Sequence, residues 1–315
     1  MYDLIIVGGG PAGLTAAVYA LQKRMETMVL AQDLGGKARY TFHLGEMEGH
    51  EVIAGREVVE KFRSQIEYLD FAYQLAEVTK FEHKKDHFVV TTADGKTHEA
   101  RTVIWATGAR TEYLEVPGEK ELRGRGVSYS AVSHAPMFLG REVAVYGKGP
   151  RALRAVAELS LIANKVTFLA QEALPESALT EHIQKSERVE ILEGYAVDEV
   201  VGGTEVSGLI VSKDGDWREL NVSGLFVETG LIPGSEMVAG LVDLTDDGYI
   251  QVDCSNATRT PGLFAAGDVV ECFAEQVLIA VGMGATAALS AYEFLLAQGR
   301  LPSWTDEAPQ ALSEM

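Results

Sequence analysis

The sequence predicts an α/β fold of two three-layer units, the second inserted into the first. Three observations predict it. The turn Gly8-Gly9-Gly10-Pro11-Ala12-Gly13 follows the apolar run Leu4 to Val7 and opens an apolar stretch from Leu14 to Leu21. The same grammar returns at Gly147-Lys148-Gly149-Pro150-Arg151-Ala152, between the runs Glu142 to Tyr146 and Ala152 to Ile162. From Tyr249 the pattern of the first unit resumes, so the expected boundaries are 1–116 and 247–315 for the outer unit and 117–246 for the insertion.

Each element of the first unit has its own reason. A short run such as Leu4 to Val7 suits a buried parallel strand. Gly8, Gly10 and Gly13 form GxGxxG. One glycine makes the tight turn, one lets a pyrophosphate approach the backbone, and one lets helix and strand pack closely. Free N–H groups and the helix dipole at the start of the helix favour anions. Thr27 to Leu30 reads as the second strand, and an acid near its end would hold a ribose. The strand runs into Gln32 and Asp33, and Asp33 is the candidate, a little later than usual. Leu34-Gly35-Gly36-Lys37 follows as a further turn where backbone can meet a ligand. Val58 to Phe71 has helical spacing. Gln74 to Phe81, Phe88 to Ala93 and Lys96 to Arg101 read as short strands, with Asp94-Gly95 as a hairpin turn. Thr102 to Ala109 reads as a separate buried strand ending in the small-residue turn Ala106-Thr107-Gly108.

The second unit begins near Pro117-Gly118. Its strands are read at Glu142 to Tyr146 and Lys165 to Ala170, and it closes at Gly224-Leu-Phe-Val-Glu-Thr-Gly230. Lys148, Arg151 and Arg154 crowd the start of its first helix. They either hold the pyrophosphate of a dinucleotide or stand as solvated bases; the dipole disfavours bases there, which tips the balance slightly toward an anionic ligand. The chain then enters Pro261-Gly-Leu-Phe-Ala-Ala-Gly-Asp268, a strand leading into a Gly-Asp turn, and the long apolar helix from Leu278 to Leu296.

Composition narrows the function classes. The chain has 315 residues, 47% of them hydrophobic, enough for two cores. A formal charge of −19 argues against general nucleic-acid affinity. The two cysteines, Cys254 and Cys272, make no disulfide framework and fit a reducing cytoplasm. Met1 runs at once into the first strand, leaving no room for a signal peptide. No 18-residue apolar run without charges is expected, and hence no membrane span. The seven histidines show no metal-ligand spacing; His43, His50, His83, His87 and His98 read as surface, and His134 as a polar surface or hinge residue.

Together these motifs resemble the thioredoxin reductase-like flavoproteins, the small two-domain members of the pyridine nucleotide–disulfide oxidoreductases. Gly8 to Gly13, Thr107-Gly108, Gly230 to Pro233, Gly262 to Asp268 and Gln276 followed by Gly282 to Ala288 fall in family order. The resemblance implies two FAD/NAD(P)-binding (Rossmann-like) domains, with FAD in the first and a nicotinamide nucleotide in the inserted second. It implies FAD contacts from Gly8, Gly10, Pro11, Ala12, Gly13, Gln32, Asp33, Gly36, Lys37, Thr107, Gly108, Gly267, Asp268, Gln276 and Val277. Asp268 would bind the ribityl or phosphate part, and Gln276 with the last helix would lie against the isoalloxazine. A second nucleotide site would use Gly147, Gly149, Arg151, Ala152 and Glu172. The resemblance also implies a homodimer.

The departures carry as much information. Thioredoxin reductases place Cys-x-x-Cys before the second turn. This chain has Ser130-Ala131-Val132-Ser133 there and His134 in place of the adjacent acid. A hydroxyl cannot form a disulfide. NADPH-specific relatives place bases after the strand that ends here at Ala170, whereas this chain has Gln171-Glu172-Ala173-Leu174-Pro175-Glu176. Two like charges ~5 Å apart at an effective dielectric of ~20 repel by roughly 3 kcal/mol, so a 2′-phosphate is disfavoured. NADH remains, with Glu172 on the ribose. The expected function is an FAD-dependent oxidoreductase without the dithiol step, fed by NADH or a reduced carrier. Alternatives are a ferredoxin or flavodoxin reductase-like enzyme, and a flavin-binding protein with a second FAD or no ligand in the inserted domain. Ferredoxin, flavodoxin or a thioredoxin-like protein would be the redox partner. Cys254 and Cys272 could form a disulfide near the flavin but read as incidental thiols, and Trp304 in the tail could stack on a flavin.

Overall fold

The computed structural model describes residues 1–39, 42, 44, 55–68 and 72–300. His43, His50, residues 69–71 of the helix expected to reach Phe71, and the tail with Trp304 lie outside the described residues. The chain divides into two compact units, one of Met1–Arg39, Val52–Arg110 and Ile232–Met315, the other of Tyr40–Glu51 and Thr111–Leu231.

The first unit opens with β1 (Tyr2–Val7), α1 (Pro11–Gln22), β2 (Thr27–Ala31), α2 (Gly55–Tyr68) and β3 (Tyr73–Leu75). It continues with β4 (Val78–His83), β5 (Phe88–Thr92) and β6 (Thr97–Trp105). The expected strand Gln74 to Phe81 is thus two strands. The two expected strands Lys96 to Arg101 and Thr102 to Ala109 are one. β6 is continuous because it serves two partners on the same edge. Its first half pairs antiparallel with β5, Thr91 opposite Thr97, and its second half pairs parallel with β17 (Leu263–Ala265). The other edge of β6 pairs parallel with β1, and the sheet runs β3-β2-β1-β6-β5-β4. Gly95, at a φ of 81°, makes the hairpin turn that the Asp94-Gly95 pair predicts.

One face of this sheet is covered by α1 and α6 (Val277–Ala297). The two helices meet closely: a Cβ on Gly284 would lie 2.1 Å from the Ala12 carbonyl oxygen. By length and composition α6 is long and apolar enough to cross a membrane, with Glu293 interrupting its apolar run. Its small-residue face, Ala280, Gly284, Ala287, Ala288 and Ala291, is buried in the core of this unit. The opposite face of the sheet buries Ile5, Val90, Val103, Trp105 and Ile250. Near the start of β1, the buried Asp3 accepts from Arg101 Nη1 at 2.9 Å and from the Glu26 amide at 3.0 Å. Those bonds satisfy a charge that burial would otherwise penalise.

Where the chain passes from one unit to the other, two three-residue strands, β7 (Ala109–Thr111) and β16 (Leu231–Pro233), pair with each other. The second unit contains β8 (Val127–Ser128), α3 (Ala131–His134), β9 (Glu142–Gly147), α4 (Gly149–Ile162), β10 (Lys165–Ala170) and α5 (Ala178–Lys185). β11 (Val189–Glu193), β12 (Ala196–Gly202), β13 (Val206–Lys213), β14 (Asp216–Leu220) and β15 (Gly224–Glu228) complete it. Its parallel sheet runs β11-β10-β9-β15-β8, and β12-β13-β14 form an antiparallel sheet. Phe138, Val145, Val156, Phe168 and Phe226 fill the core under α4, while Leu169, Leu209, Val211 and Leu225 fill the other.

Candidate functional site

The first turn has the geometry that a bound pyrophosphate needs. Gly8 sits at a φ of 115°, and a Cβ there would lie 2.2 Å from the Ala106 carbonyl oxygen. A Cβ on Gly13 would lie 1.9 Å from the Gly8 carbonyl oxygen. Both glycines are therefore required by the fold. Gly10 differs: its Cβ direction points into space with nothing within 4 Å. Gly10 is also the N-cap of α1 and supplies no side-chain cap, and Pro11 occupies the first turn. The open N–H groups and the dipole of α1 thus face a cradle that any side chain on Gly10 would fill. This fits a diphosphate.

Several of the other predicted residues gather around the start of α1. The Asp33 side chain accepts from the Gly36 amide at 2.9 Å, and Gly35 donates to the Gly9 carbonyl at 2.7 Å. Gly36 lies on Gly10, its would-be Cβ 3.2 Å from the Gly10 Cα. Gly267 lies on Ala12, its would-be Cβ 2.9 Å from the Ala12 Cβ. Lys37 and Asp268 meet across this region at 2.7 Å. Gln32 is exposed beside Asp33. Thr107 donates to the Gly234 carbonyl at 2.8 Å, and Gly108 is at a φ of 68° with open space at its Cβ position. Gln276 is the N-cap of α6 and Val277 its first residue.

The second turn is also formed, with changes. Gly147 is forced by β15, since its Cβ would lie 2.4 Å from the Glu228 carbonyl oxygen and 3.0 Å from the Ala152 Cβ. Gly149, at a φ of 64°, faces open space but for Glu172 Oε1 at 3.9 Å. Glu172 reaches the turn and accepts from the Gly149 amide at 2.9 Å. Gln171 donates to the Tyr146 hydroxyl at 2.5 Å. Of the three bases at this helix, Arg151 bonds the buried Glu228 at 2.5 Å and the Tyr129 carbonyl at 3.1 Å. Arg154 donates to the Pro150 carbonyl at 3.2 Å. Thr229 Oγ1, just past β15, is buried with no hydrogen-bond partner among the described residues. An orphaned hydroxyl at the C-terminal end of a parallel strand is what a ligand would satisfy.

Sequence reasoning passed over Glu228 and Thr229. The signal was an acid closing the buried run Gly224 to Val227, where an ionised side chain needs a partner. Glu228 also accepts from the Ala131 amide at 2.7 Å, tying the Ser130 turn to α4 through Arg151.

In that turn Ser130 Oγ donates to Ser133 Oγ at 3.0 Å. His134, read as a polar surface or hinge residue, is half-buried: its ring stacks on Phe42 with centroids 4.5 Å apart, and its Nδ1 is 2.8 Å from Ser128 Oγ. Burial pushes its pKa down to about 4. His98 is half-buried beside Tyr2, and burial lowers its pKa too. Cys254 and Cys272 are both free thiols, Cys254 exposed. Burial, then the negative charges of Asp268 and Glu275, push the Cys272 thiol up to about 11. No cluster of metal-ligating side chains occurs among the described residues.

One mixed sheet with a parallel core, one parallel sheet, two glycine turns and a serine pair in the dithiol position define a thioredoxin reductase-like flavoprotein. The chain belongs to the pyridine nucleotide-disulphide oxidoreductase family, whose pattern it matches over residues 2–285. It is 33% identical over 299 residues to a protein of Bacillus subtilis (strain 168) named NADH dehydrogenase, covering 94% of this chain and 59% of that one. It is 34% identical over 300 residues to an alkyl hydroperoxide reductase subunit of Staphylococcus aureus (strain MSSA476), again 94% and 59%. The chain therefore spans about six-tenths of these relatives (59%). Among solved structures, thioredoxin reductase from Streptococcus pyogenes MGAS5005 is 33% identical, with a TM-score of 0.86 over 94% of this chain and 99% of its own. Thioredoxin reductase from Giardia duodenalis is 30% identical, with a TM-score of 0.85 and the same coverage.

Proposed function

We propose that this protein is an FAD-dependent oxidoreductase reduced by NADH, passing electrons to an acceptor without a dithiol at residues 130–133. The observation that carries the choice of NADH is Glu172. Its Oε1 accepts from the Gly149 amide at 2.9 Å, which brings a carboxylate to the second turn. Its second oxygen is left for a ribose hydroxyl, and the same charge repels a 2′-phosphate. The name of the Bacillus subtilis relative, NADH dehydrogenase, supports the same choice.

The start of α1 would hold the flavin diphosphate against Gly10, Ala12 and Gly13. Asp33 would take the ribose, Asp268 the ribityl chain, and Gln276 with Val277 the ring system. FAD, when bound, supplies a hydride acceptor that can release electrons onward. Ser130 and Ser133 hold a hydrogen bond where relatives hold a disulfide, so no thiol relay passes through this turn. His134, neutral through burial, brings no acid to it at neutral pH. The homodimer belongs to the same reading, and sedimentation of the flavin-loaded protein tests it.

Anaerobic titration of the purified, flavin-loaded protein tests the donor. NADH should bleach the flavin and NADPH should do so more slowly. Bleaching by neither nucleotide would overturn the NADH reading and favour a reduced protein carrier as donor.

A further inference from the structure

Two features at the first site oppose each other. Asp268 places a carboxylate, its side chain 17% exposed, at the helix start where a diphosphate must enter. An unneutralised acid there repels the incoming phosphates through a partly dry medium, where charge interactions are stronger than in bulk water. Asp33, the other acid at this turn, is 3.9 Å from Arg39 Nη1 and bonds the Gly36 amide. Asp268 has Lys37, at 2.7 Å.

The backbone fixes this meeting. Lys37 follows Gly36, which rests on Gly10. Asp268 follows Gly267, which rests on Ala12. The pair therefore springs from two turns, one seated on Gly10, the N-cap of α1, and the other on Ala12 in its first turn, beside the cradle that Gly10 leaves open. Cys272 senses the same pair: Asp268 raises the pKa of its thiol and Lys37 lowers it.

We propose that Lys37 is the counter-ion that admits the flavin diphosphate to this site. It neutralises Asp268 before the cofactor arrives, then shifts from the carboxylate to the phosphates, freeing Asp268 to accept from ribityl hydroxyls. Lys37 is a positioning residue for the cofactor. The inference rests on the FAD reading above and adds a signed role for one side chain.

The test is the rate of FAD association with apoprotein, followed by quenching of flavin fluorescence at low and high salt. Lys37→Met leaves Asp268 unneutralised, so association should slow by about fivefold or more at low ionic strength, and the gap should close with salt. Lys37→Arg should stay within about twofold of wild type, since the charge is kept. Asp268→Asn should speed association, and the double variant Lys37→Met with Asp268→Asn should return toward wild type. In a Cys254→Ser background, Lys37→Met should also slow alkylation of Cys272 in the apoprotein, a readout independent of flavin. If Lys37→Met associates as fast as wild type or faster, the lysine is a plug or a bystander and the inference falls. If both single substitutions slow association and their effects simply add, it falls as well. Failure of the wild-type apoprotein to bind FAD at all would instead remove the FAD reading, so the two failures are distinguishable.

Discussion

Arg151 and Glu228 lie 77 positions apart in the chain and join through Arg151 Nε and Glu228 Oε2 at 2.5 Å. The carboxylate is nearly fully buried, with 3% of its side chain exposed, and also accepts from the Ala131 amide. Arg151 spends a second donor on the Tyr129 carbonyl. One charge pair thus ties the serine turn, the end of β15 and the start of α4 within the second unit. An arginine that reads in the sequence as a phosphate ligand is held here as a structural tie.

Glu228→Ala should therefore destabilise the second unit by about 3 kcal/mol, because it strands a partly buried guanidinium and an amide. Urea unfolding followed by circular dichroism reads this. A loss below about 1 kcal/mol would place the pair with ordinary surface ion pairs.

The contrast between Gly10 and Gly13 gives a second prediction. Gly10→Val should fold normally and fail to retain FAD, because its side chain enters the open cradle. Gly13→Ala should unfold or destabilise the first unit, because its Cβ meets the Gly8 carbonyl at 1.9 Å. Thermal unfolding and the flavin absorbance of the purified variants separate the two. A well-folded, yellow Gly10→Val protein would contradict the assignment of this cradle to the diphosphate.

The glycine turns were legible because GxGxxG encodes local geometry: strand, tight turn and close helix packing sit within one stretch of chain. Partners distant in sequence were not. Lys37 and Asp268 each stand out by motif, yet nothing local says they meet. The antiparallel sheet β12-β13-β14 was also missed. Its β14, Asp216 to Leu220, is almost wholly exposed and carries no clean alternation of apolar and polar residues. Splitting β6 into two strands was an error of the same kind. Arg101 and Thr102 look like a boundary, but they answer to Asp3, Arg101 through its side chain and Thr102 through the Asp3 carbonyl.

His134 makes stability depend on pH. Its folded pKa of about 4 lies below the unfolded value of about 6.5, so the unfolded chain binds the proton more readily. Its contribution is fully present above pH ~6.5 and is lost as pH falls toward ~4, to at most roughly 3 kcal/mol. His134→Phe keeps an aromatic ring against Phe42 and cannot titrate. The fall in stability between those pH values should be shallower in the variant, as measured by urea midpoints at each pH. Equal slopes in both proteins would show that His134 titrates normally and is open to water.

The proposed nicotinamide preference rests on charge and so should answer to salt. Glu172 and Glu176 are exposed side chains at the second turn and its loop, where relatives using NADPH carry bases. Repulsion between such charges and a 2′-phosphate is screened over about 8–10 Å near physiological ionic strength. The ratio of flavin reduction rates by NADH and NADPH should therefore fall as salt rises. A preference built from a hydrogen bond between Glu172 and a ribose hydroxyl would resist salt, so the residual ratio at high salt measures that bond. Replacing Gln171, Glu172 and Glu176 together by arginine should reverse the preference toward NADPH while flavin content stays unchanged, since none of the three belongs to the first unit. If the variant still prefers NADH, discrimination lies elsewhere in the second unit. Thr229, whose buried hydroxyl lacks a partner among the described residues, would then be the next position to substitute.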